Sequence, residues 1–281
     1  MRQAGTGSER GAGMSAPSCM CTAPRFARIH IYTAPPQGEV HFQPIQGRDY
    51  RRELLRCQTC GHVVSGHEMD LSALYAREYV NSNYGDLEGI RRNFDRIIAL
   101  PAERSDNTGR VQRILAFAGA RTQRRSILDI GSGLCVFLFR MKEAGWDCTA
   151  LDPDPRSCRH ARENIGVRAV CGDFMQTEAL AEHDAVSFNK VLEHIRDPIP
   201  MLARAARFVR KSGFVYVELP DAEAWREGPE REEFFIDHFH VFSVPSIALL
   251  AERAGFKIAA VERLREPSTK FTLRAFLRPV D

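Results

Sequence analysis

The chain has 281 residues, 44% hydrophobic and 27% charged, and 39 basic against 36 acidic side chains leave a net charge of +3. That balance belongs to a globular protein able to bury a sizeable core. So small a net charge offers no basic face for nucleic acid or an anionic membrane, which argues against both as partners.

No apolar run reaches the roughly 18 residues of a membrane span, and Met1 to Gly13 lack the apolar h-region of a secretory signal. Together these point to a cytoplasmic chain. Eight cysteines in such a chain are expected to be metal ligands or small core residues rather than disulfides.

Taken in chain order, residues 1–18 read as a disordered tail. Residues 19–70 are rich in Cys, His and Pro, with β-like runs at Phe26–Tyr32 and Val40–Phe42, and read as a small cysteine-bearing module. Residues 71–125 read as a helical bridge. Its helix Leu87–Leu100 places Ile90, Phe94, Ile97 and Ile98 on one face. Pro101–Gly109 reads as a loop and Arg110–Ala118 as a second helix.

From Ser126 to the end, strands and helices alternate. The predicted strands are Ser126–Ile130, Cys148–Leu151, Val167–Val170, Asp184–Phe188, Phe214–Glu218, Lys257–Val261 and Phe271–Phe276. The predicted helices are Leu134–Ala144, Pro155–Asn164, Pro198–Val209 and Pro245–Ala254. This is the pattern of an α/β, Rossmann-like, mostly parallel sheet with helices on both faces. Gly145, Gly166, Gly213 and Gly255 each follow a predicted helix, where a left-handed closing residue is wanted.

The first of these strands ends in Asp129-Ile-Gly131-Ser-Gly133. Glycines there permit a sharp turn and a close approach of backbone N–H groups to a ligand. A dinucleotide fingerprint needs a third glycine where Val136 stands. Instead Asp129 precedes the turn, and a carboxylate there suits a cationic amino acid better than a pyrophosphate. Asp152 ends the second strand, where a carboxylate can take both ribose hydroxyls. Asp173 and Phe174 end the third, where a carboxylate and an aromatic ring can hold and cover an adenine. All three carboxylates lie at carboxyl ends of neighbouring strands, the ligand side of open α/β sheets.

These residues, together with Asn189-Lys-Val-Leu-Glu193-His194 and Asp197-Pro198, resemble class I S-adenosylmethionine (SAM)-dependent methyltransferases over residues 120–281. The resemblance implies an enzyme with a seven-stranded sheet whose last strand is antiparallel. It implies that Gly131 and Gly133 line the methionine part of SAM and that Asp152 binds the ribose. Asp173 and Phe174 would bind the adenine. Asp129 and Asn189 complete the expected cofactor site.

Methyl transfer from a sulfonium is an in-line displacement that needs a base only when the acceptor must lose a proton. Glu193-His194 beside the presumed sulfonium is the candidate pair, with His194 the base. His238 and His240, in a segment resembling a His-x-x-x-Phe-Ser signature near the family's acceptor pocket, are alternates. Their two-residue spacing also suits a metal, but the neighbouring sequence supplies no obvious third ligand.

Cys57-x-x-Cys60-Gly61 has the spacing of a zinc knuckle, and Cys19-x-Cys21 supplies a second pair. The four are expected to hold a structural zinc, with His30, His62 or His67 able to replace one thiolate. Cys135, Cys148, Cys158 and Cys171 are expected to be small core residues.

The cysteine front, the bridge with Leu74–Tyr79 and the methyltransferase core resemble zinc-bearing deoxysugar methyltransferases acting on nucleotide-linked sugars. Where their motif reads Tyr-x-Glu-His, this chain has Val191 in place of the tyrosine. The resemblance therefore implies a small polar acceptor, such as a nucleotide-linked sugar or a glycan or secondary-metabolite precursor. It leaves the methylated atom open among C, N and O. A macromolecule methyltransferase docking RNA or protein through the cysteine module, and a non-catalytic SAM-binding regulator, stand as alternatives. The sequence does not set the oligomeric state.

Overall fold

The structure is a computed structural model that describes residues 17–39, 50–67, 69, 87–119 and 125–280. The proposed tail up to residue 16, the run Val40–Phe42 and the bridge segment Leu74–Tyr79 lie outside the described residues.

The catalytic part is built on seven strands: β4 (Ser126–Ile130), β5 (Asp147–Asp152), β6 (Arg168–Cys171), β7 (His183–Asn189), β8 (Val209–Pro220), β10 (Phe256–Arg265) and β11 (Phe271–Pro279). Their order is β6-β5-β4-β7-β8-β11-β10, with β11 antiparallel to both neighbours. The pairs β4–β5, β4–β7, β5–β6 and β7–β8 are parallel. The central strand β4 is buried on both faces after its first residue, as expected of a strand covered by helices on either side. The chain order reverses between β5 and β7 around β4, and the crevice at that switch point is where such sheets bind ligands.

One face of the sheet packs α5 (Pro198–Arg204) and α6 (Val244–Arg253) over a core including Val186, Phe188, Val217 and Leu250. The other packs α1 (Leu87–Ile98), α2 (Asp106–Ala118) and α3 (Val136–Glu143) over Ile127, Phe137, Leu138 and Tyr216. The short helix α4 (Pro155–His160) follows β5 and continues as a π turn, Ala161–Ile165.

Local chemistry sets several boundaries differently from the sequence reading. The Ser105 side chain accepts from Thr108 N at 3.3 Å and starts α2 at Asp106, so the predicted loop Pro101–Gly109 is shorter than expected and contains a 3₁₀ turn, Ala102–Arg104. The helix from Pro198 ends at Arg204 and passes through a 3₁₀ turn into β8 at Val209. Gly213 is therefore not a helix cap. It lies inside β8, where a Cβ would stand 2.6 Å from the Asp184 carbonyl oxygen and 2.9 Å from that of Arg210. Close backbone approach, not a left-handed turn, explains this glycine.

The front segment forms a second, antiparallel sheet of β1 (Phe26–Tyr32), β2 (Arg52–Cys57) and β3 (Val63–Gly66), whose last member is β9 (His240–Val241), contributed from beyond β8. Its centre is polar. The Arg52 guanidinium is fully buried, 3.0 Å from Glu39 Oε2, and donates to the Phe234 carbonyl oxygen at 2.5 Å. It also lies 4.0 Å over the Tyr32 ring. Met20 belongs to the main core cluster that also holds Phe242 and Ile247. The front segment is thus stitched to the catalytic part by a shared sheet, by the hydrogen bonds of Arg52 to the Phe234 carbonyl oxygen and of Ile236 N to Glu39, and by a shared core. No helix among the described residues is long and apolar enough to cross a membrane.

Candidate functional site

The carboxyl ends of β4, β5 and β6 bring Asp129, Asp152 and Asp173 to one edge. Gly131 turns the chain after β4 with φ +67°, and a Cβ there would stand 2.8 Å from Val191 Cγ2. Two constraints, a left-handed backbone and contact with the loop after β7, thus demand glycine.

Asp129 is 2% exposed, and its Oδ1 accepts from Ser187 Oγ at 2.6 Å and Asn189 Nδ2 at 2.7 Å. Burial raises its carboxyl to about 7, against the pull of these two donors. Asp152 Oδ2 accepts from Gly133 N at 2.8 Å and Oδ1 from Asp154 N at 2.9 Å. Burial raises this carboxyl too, opposed by the same two amides. Asp152 therefore ties the glycine turn to the end of β5. Asp173 is exposed and caps the following turn through Met175 N at 2.8 Å.

Phe174 departs from expectation. Its ring is in the core, 5.9 Å from Phe188 and 5.7 Å from Phe208, and it is 3% exposed, so it does not cover an adenine. The exposed apolar neighbour of Asp173 is Met175.

After β7 the loop bends at Lys190 (φ +59°) and forms a 3₁₀ turn, Leu192–His194. Glu193 is fully buried, and neither carboxylate oxygen has a hydrogen-bond partner among the described residues. Its carbonyl accepts from Phe239 N at 2.8 Å, which fastens this loop to the segment before β9. His194 Nδ1 is 2.8 Å from the Asp237 carbonyl oxygen, and His238 Nδ1 is 2.9 Å from that of Glu233. Ligand atoms of Glu193, His194 and His238 lie within 4.8 Å of one another. Residues far apart in sequence thus form one wall.

His240 does not join this wall. It is buried on β9, with Nδ1 3.0 Å from His62 Nε2 and Nε2 3.2 Å from the Arg196 carbonyl oxygen. Burial pushes its imidazole down to about 4. Both nitrogens are engaged in structure, so it is not an alternate base. His62 continues the chain to Ser246 Oγ at 3.2 Å.

The four front cysteines converge as expected. Cys19 Sγ is 3.4 Å from Cys60 Sγ and 3.5 Å from Cys21 Sγ, and Cys21 Sγ is 3.6 Å from Cys57 Sγ. All four lie within 4.8 Å of one another. A tetrahedron with 2.3 Å metal–sulfur bonds has edges of about 3.8 Å, so the donor set fits. Burial works against ionisation of Cys57, yet backbone N–H groups around it hold it below an ordinary thiol, at about 6. Of the other four, Cys135, Cys148 and Cys158 are buried as expected. Cys171 is exposed because it ends the edge strand β6.

One feature of the site had no sequence signal. Arg110 on α2 donates through Nε at 2.8 Å and through Nη2 to Glu218, fully buried near the end of β8. Tyr216 OH donates to the same carboxylate at 2.8 Å, and Arg274 links it to Glu266. Burial alone would raise Glu218, but Arg110 outweighs it and holds the carboxyl well below the usual range. Glu218 pairs in register with Asn189, so this network braces the β7 end of the cleft.

A family model described as a methyltransferase domain matches residues 103–261, more than half of the chain. The chain belongs to that family. With the sheet order above, this is a class I SAM-dependent methyltransferase domain. A ubiquinone biosynthesis O-methyltransferase from Bordetella avium is 31% identical over 117 residues, 39% of this chain and 48% of that protein. One from Paracidovorax citrulli is 30% identical over 105 residues, 34% and 44% of the two chains. The chain thus spans about half the length of these curated relatives.

Among solved structures, 1,6-didemethyltoxoflavin-N1-methyltransferase from Burkholderia thailandensis superposes with a TM-score of 0.56 at 19% identity, covering 88% of this chain and all of that one. Magnesium protoporphyrin IX methyltransferase from Synechocystis does so with 0.54 at 13%, covering 74% and 100%. At such identities the likeness concerns the fold.

Proposed function

We propose that the chain transfers the methyl group of SAM to a hydroxyl of a small polar acceptor, with a nucleotide-linked sugar as the acceptor class. The observation that carries this is the wall of Glu193, His194 and His238 directly after Asn189, the residue that hydrogen-bonds Asp129 in the cofactor crevice. The O-methyltransferase names of the curated relatives support a hydroxyl acceptor. The cysteine front joined to the methyltransferase core supports a sugar nucleotide.

In this reading Asp129 faces the ammonium of SAM, Gly131 and Gly133 admit its methionine part, and Asp152 takes the ribose hydroxyls. Asp173 holds the adenine edge, with Met175 rather than Phe174 against the ring. The four thiolates of Cys19, Cys21, Cys57 and Cys60 hold one structural zinc. His194 serves the removal of the acceptor proton, its ring oriented by the Asp237 carbonyl oxygen 2.8 Å from Nδ1.

The test incubates the protein with methyl-labelled SAM and panels of sugar nucleotides and small phenols, followed by mass spectrometry of the products. Label on a hydroxyl oxygen of a small acceptor is expected. Label found only on RNA or protein, or SAM bound without transfer to any acceptor, would contradict the proposal. His194→Ala should lower kcat by roughly 10²- to 10⁴-fold while leaving SAM affinity nearly unchanged.

A further inference from the structure

Two cysteines meet beside the strand ends that carry Asp152 and Asp173. Cys158, on α4, is buried, and its thiol donates to the Asp152 carbonyl oxygen at 3.2 Å and lies 3.7 Å from that of Val170. It therefore sits in the angle between the carboxyl ends of β5 and β6. Cys171 follows Val170 directly, ends β6 in register with Asp152, and is exposed. The two thiols hydrogen-bond each other. Burial first and this contact second push the Cys158 thiol up to about 12. The Arg162 guanidinium opposes that rise, and it donates to the Ala169 carbonyl oxygen at 2.8 Å, so a cation flanks the pair. One thiol open to solvent with a second buried against it is the arrangement of an oxidisable pair, an attacking and a resolving cysteine.

The Asp152 carbonyl oxygen that takes the Cys158 thiol proton also accepts from Gly172 N at 3.0 Å. Gly172 leads into a turn closed on Asp173. Asp173 Oδ1 accepts from Met175 N at 2.8 Å, and its carbonyl oxygen accepts from Thr177 N at 2.9 Å and from Thr177 Oγ1 at 2.7 Å. Gly172 has little slack, since a Cβ there would stand 3.1 Å from Thr177 Oγ1. So closely bonded a turn moves as a unit, and a pull on Cys171 reaches Asp173.

We propose that Cys158 and Cys171 form an oxidation site, which a small-molecule disulfide converts to an intramolecular disulfide that weakens SAM binding. The Cys171 thiolate, the exposed partner, attacks one sulfur of the small disulfide. A new sulfur–sulfur bond forms, the small disulfide's own bond breaks, and its other half leaves as a thiolate that takes up a proton. Cys158, its proton given to solvent, then attacks the Cys171 sulfur, and the second half leaves in the same way. The chain thus loses two electrons and two protons, and the small disulfide gains both as two thiols. Arg162 favours the Cys158 thiolate in the second step. Once joined, Cys158 has no thiol proton for Asp152. Cys171 is drawn from solvent toward α4 and carries the turn at Gly172 and Asp173 with it. The effect on SAM rests on the reading of Asp152 and Asp173 as cofactor residues; formation of the disulfide does not. Linkage makes the coupling reciprocal: SAM must favour the dithiol by the same factor by which the disulfide weakens SAM.

The test equilibrates the full chain in mixtures of reduced and oxidised glutathione, with and without saturating SAM. Free thiols are then blocked, and the digested chain is read by mass spectrometry. A peptide pair linked through Cys158 and Cys171 is expected. Calorimetric titration should give a SAM affinity about tenfold lower for the oxidised chain, the loss of one hydrogen bond to a charged carboxylate, and excess reductant should restore it. Saturating SAM should shift the balance toward the dithiol by the same factor. Cys171→Ser should bind SAM as the reduced wild type does, whatever the glutathione ratio. Cys158→Ser should stop at a mixed disulfide of Cys171 with glutathione. Both thiols free at every ratio, Cys171 linked to a cysteine other than Cys158, or unchanged SAM affinity in the oxidised chain would each overturn the proposal. An equal loss of affinity on oxidation of Cys171→Ser would overturn it too. Reduced wild type that binds no SAM yet forms the disulfide would sink the cofactor reading instead.

Discussion

Asp129 shows how a single buried residue sets conditions for binding. In the free protein its carboxyl stands at about 7 because burial outweighs the two donors Ser187 and Asn189. An ordinary aspartate sits near 3.9. The folded value is raised, so the stability Asp129 contributes is fully present below the unfolded value. That stability is lost as pH rises through about 7. The proposed contact with the ammonium of SAM needs the ionised form. SAM affinity should therefore fall as pH drops below about 7, by up to about tenfold per unit. Asp129→Asn should bind SAM weakly with little dependence on pH. Titration calorimetry on either side of neutrality checks this, and a parallel decline in both proteins would remove Asp129 from the cofactor site.

At this scale the sequence showed which residues reach the strand ends but not which way their side chains turn. Asp129, Asp152 and Asp173 could be placed because the glycines and strand ends around them are local signals. Phe174 could not, because its direction depends on Phe188 and Phe208, distant in sequence. His238 and His240 differ by the same logic. A two-residue offset at the edge of β9 puts His238 on the cleft wall and His240 inside, against His62.

Among the elements, β4 to β7 were legible to within a residue at each end, since buried parallel strands read as apolar runs between turn signals, whereas β8, β10 and β11 run up to five residues beyond their expected ends. The helix from Pro198 was over-extended because Ala205–Arg207 keep helical composition while the chain tightens into a 3₁₀ turn before β8. Gly213 belongs to that misreading, and it carries a test. Gly213→Ala places a methyl against the Asp184 and Arg210 carbonyls, both backbone and unable to swing away. It should cost about 1–3 kcal/mol, the range of an overpacked site, read from urea unfolding. Gly145→Ala meets no atom within 4 Å, so its cost should come from its left-handed backbone alone. No loss in Gly213→Ala would mean that β7 and β8 do not approach as described.

For the whole molecule, the unexpected result is that front and core are interlocked. The sequence divided them by composition, and composition is blind to a strand such as β9 that pairs back onto β3. Ser243, which caps α6, also donates to the Cys60 carbonyl at 2.5 Å. The cysteine cluster therefore anchors the same segment that carries His238 and His240. Purified protein should hold about one zinc per chain at this cluster, and Cys57→Ser should lose it. Because β3 and β9 share one sheet, metal loss should also lower the melting temperature of the catalytic part. Elemental analysis with calorimetry checks both. Zinc-free protein with an unchanged melting temperature would show that the cluster is not a structural metal site.

The central claim is that the crevice at the ends of β4, β5 and β6 is a SAM site. Calorimetric titration of the full chain with SAM, for wild type and Asp152→Ala, tests it most directly. One SAM per wild-type chain is expected. Affinity should be at least about tenfold lower in Asp152→Ala, since hydrogen bonds to a charged carboxylate contribute roughly 1.5–3 kcal/mol. Tight binding of NAD with none of SAM, or equal SAM affinity in the two proteins, would contradict it.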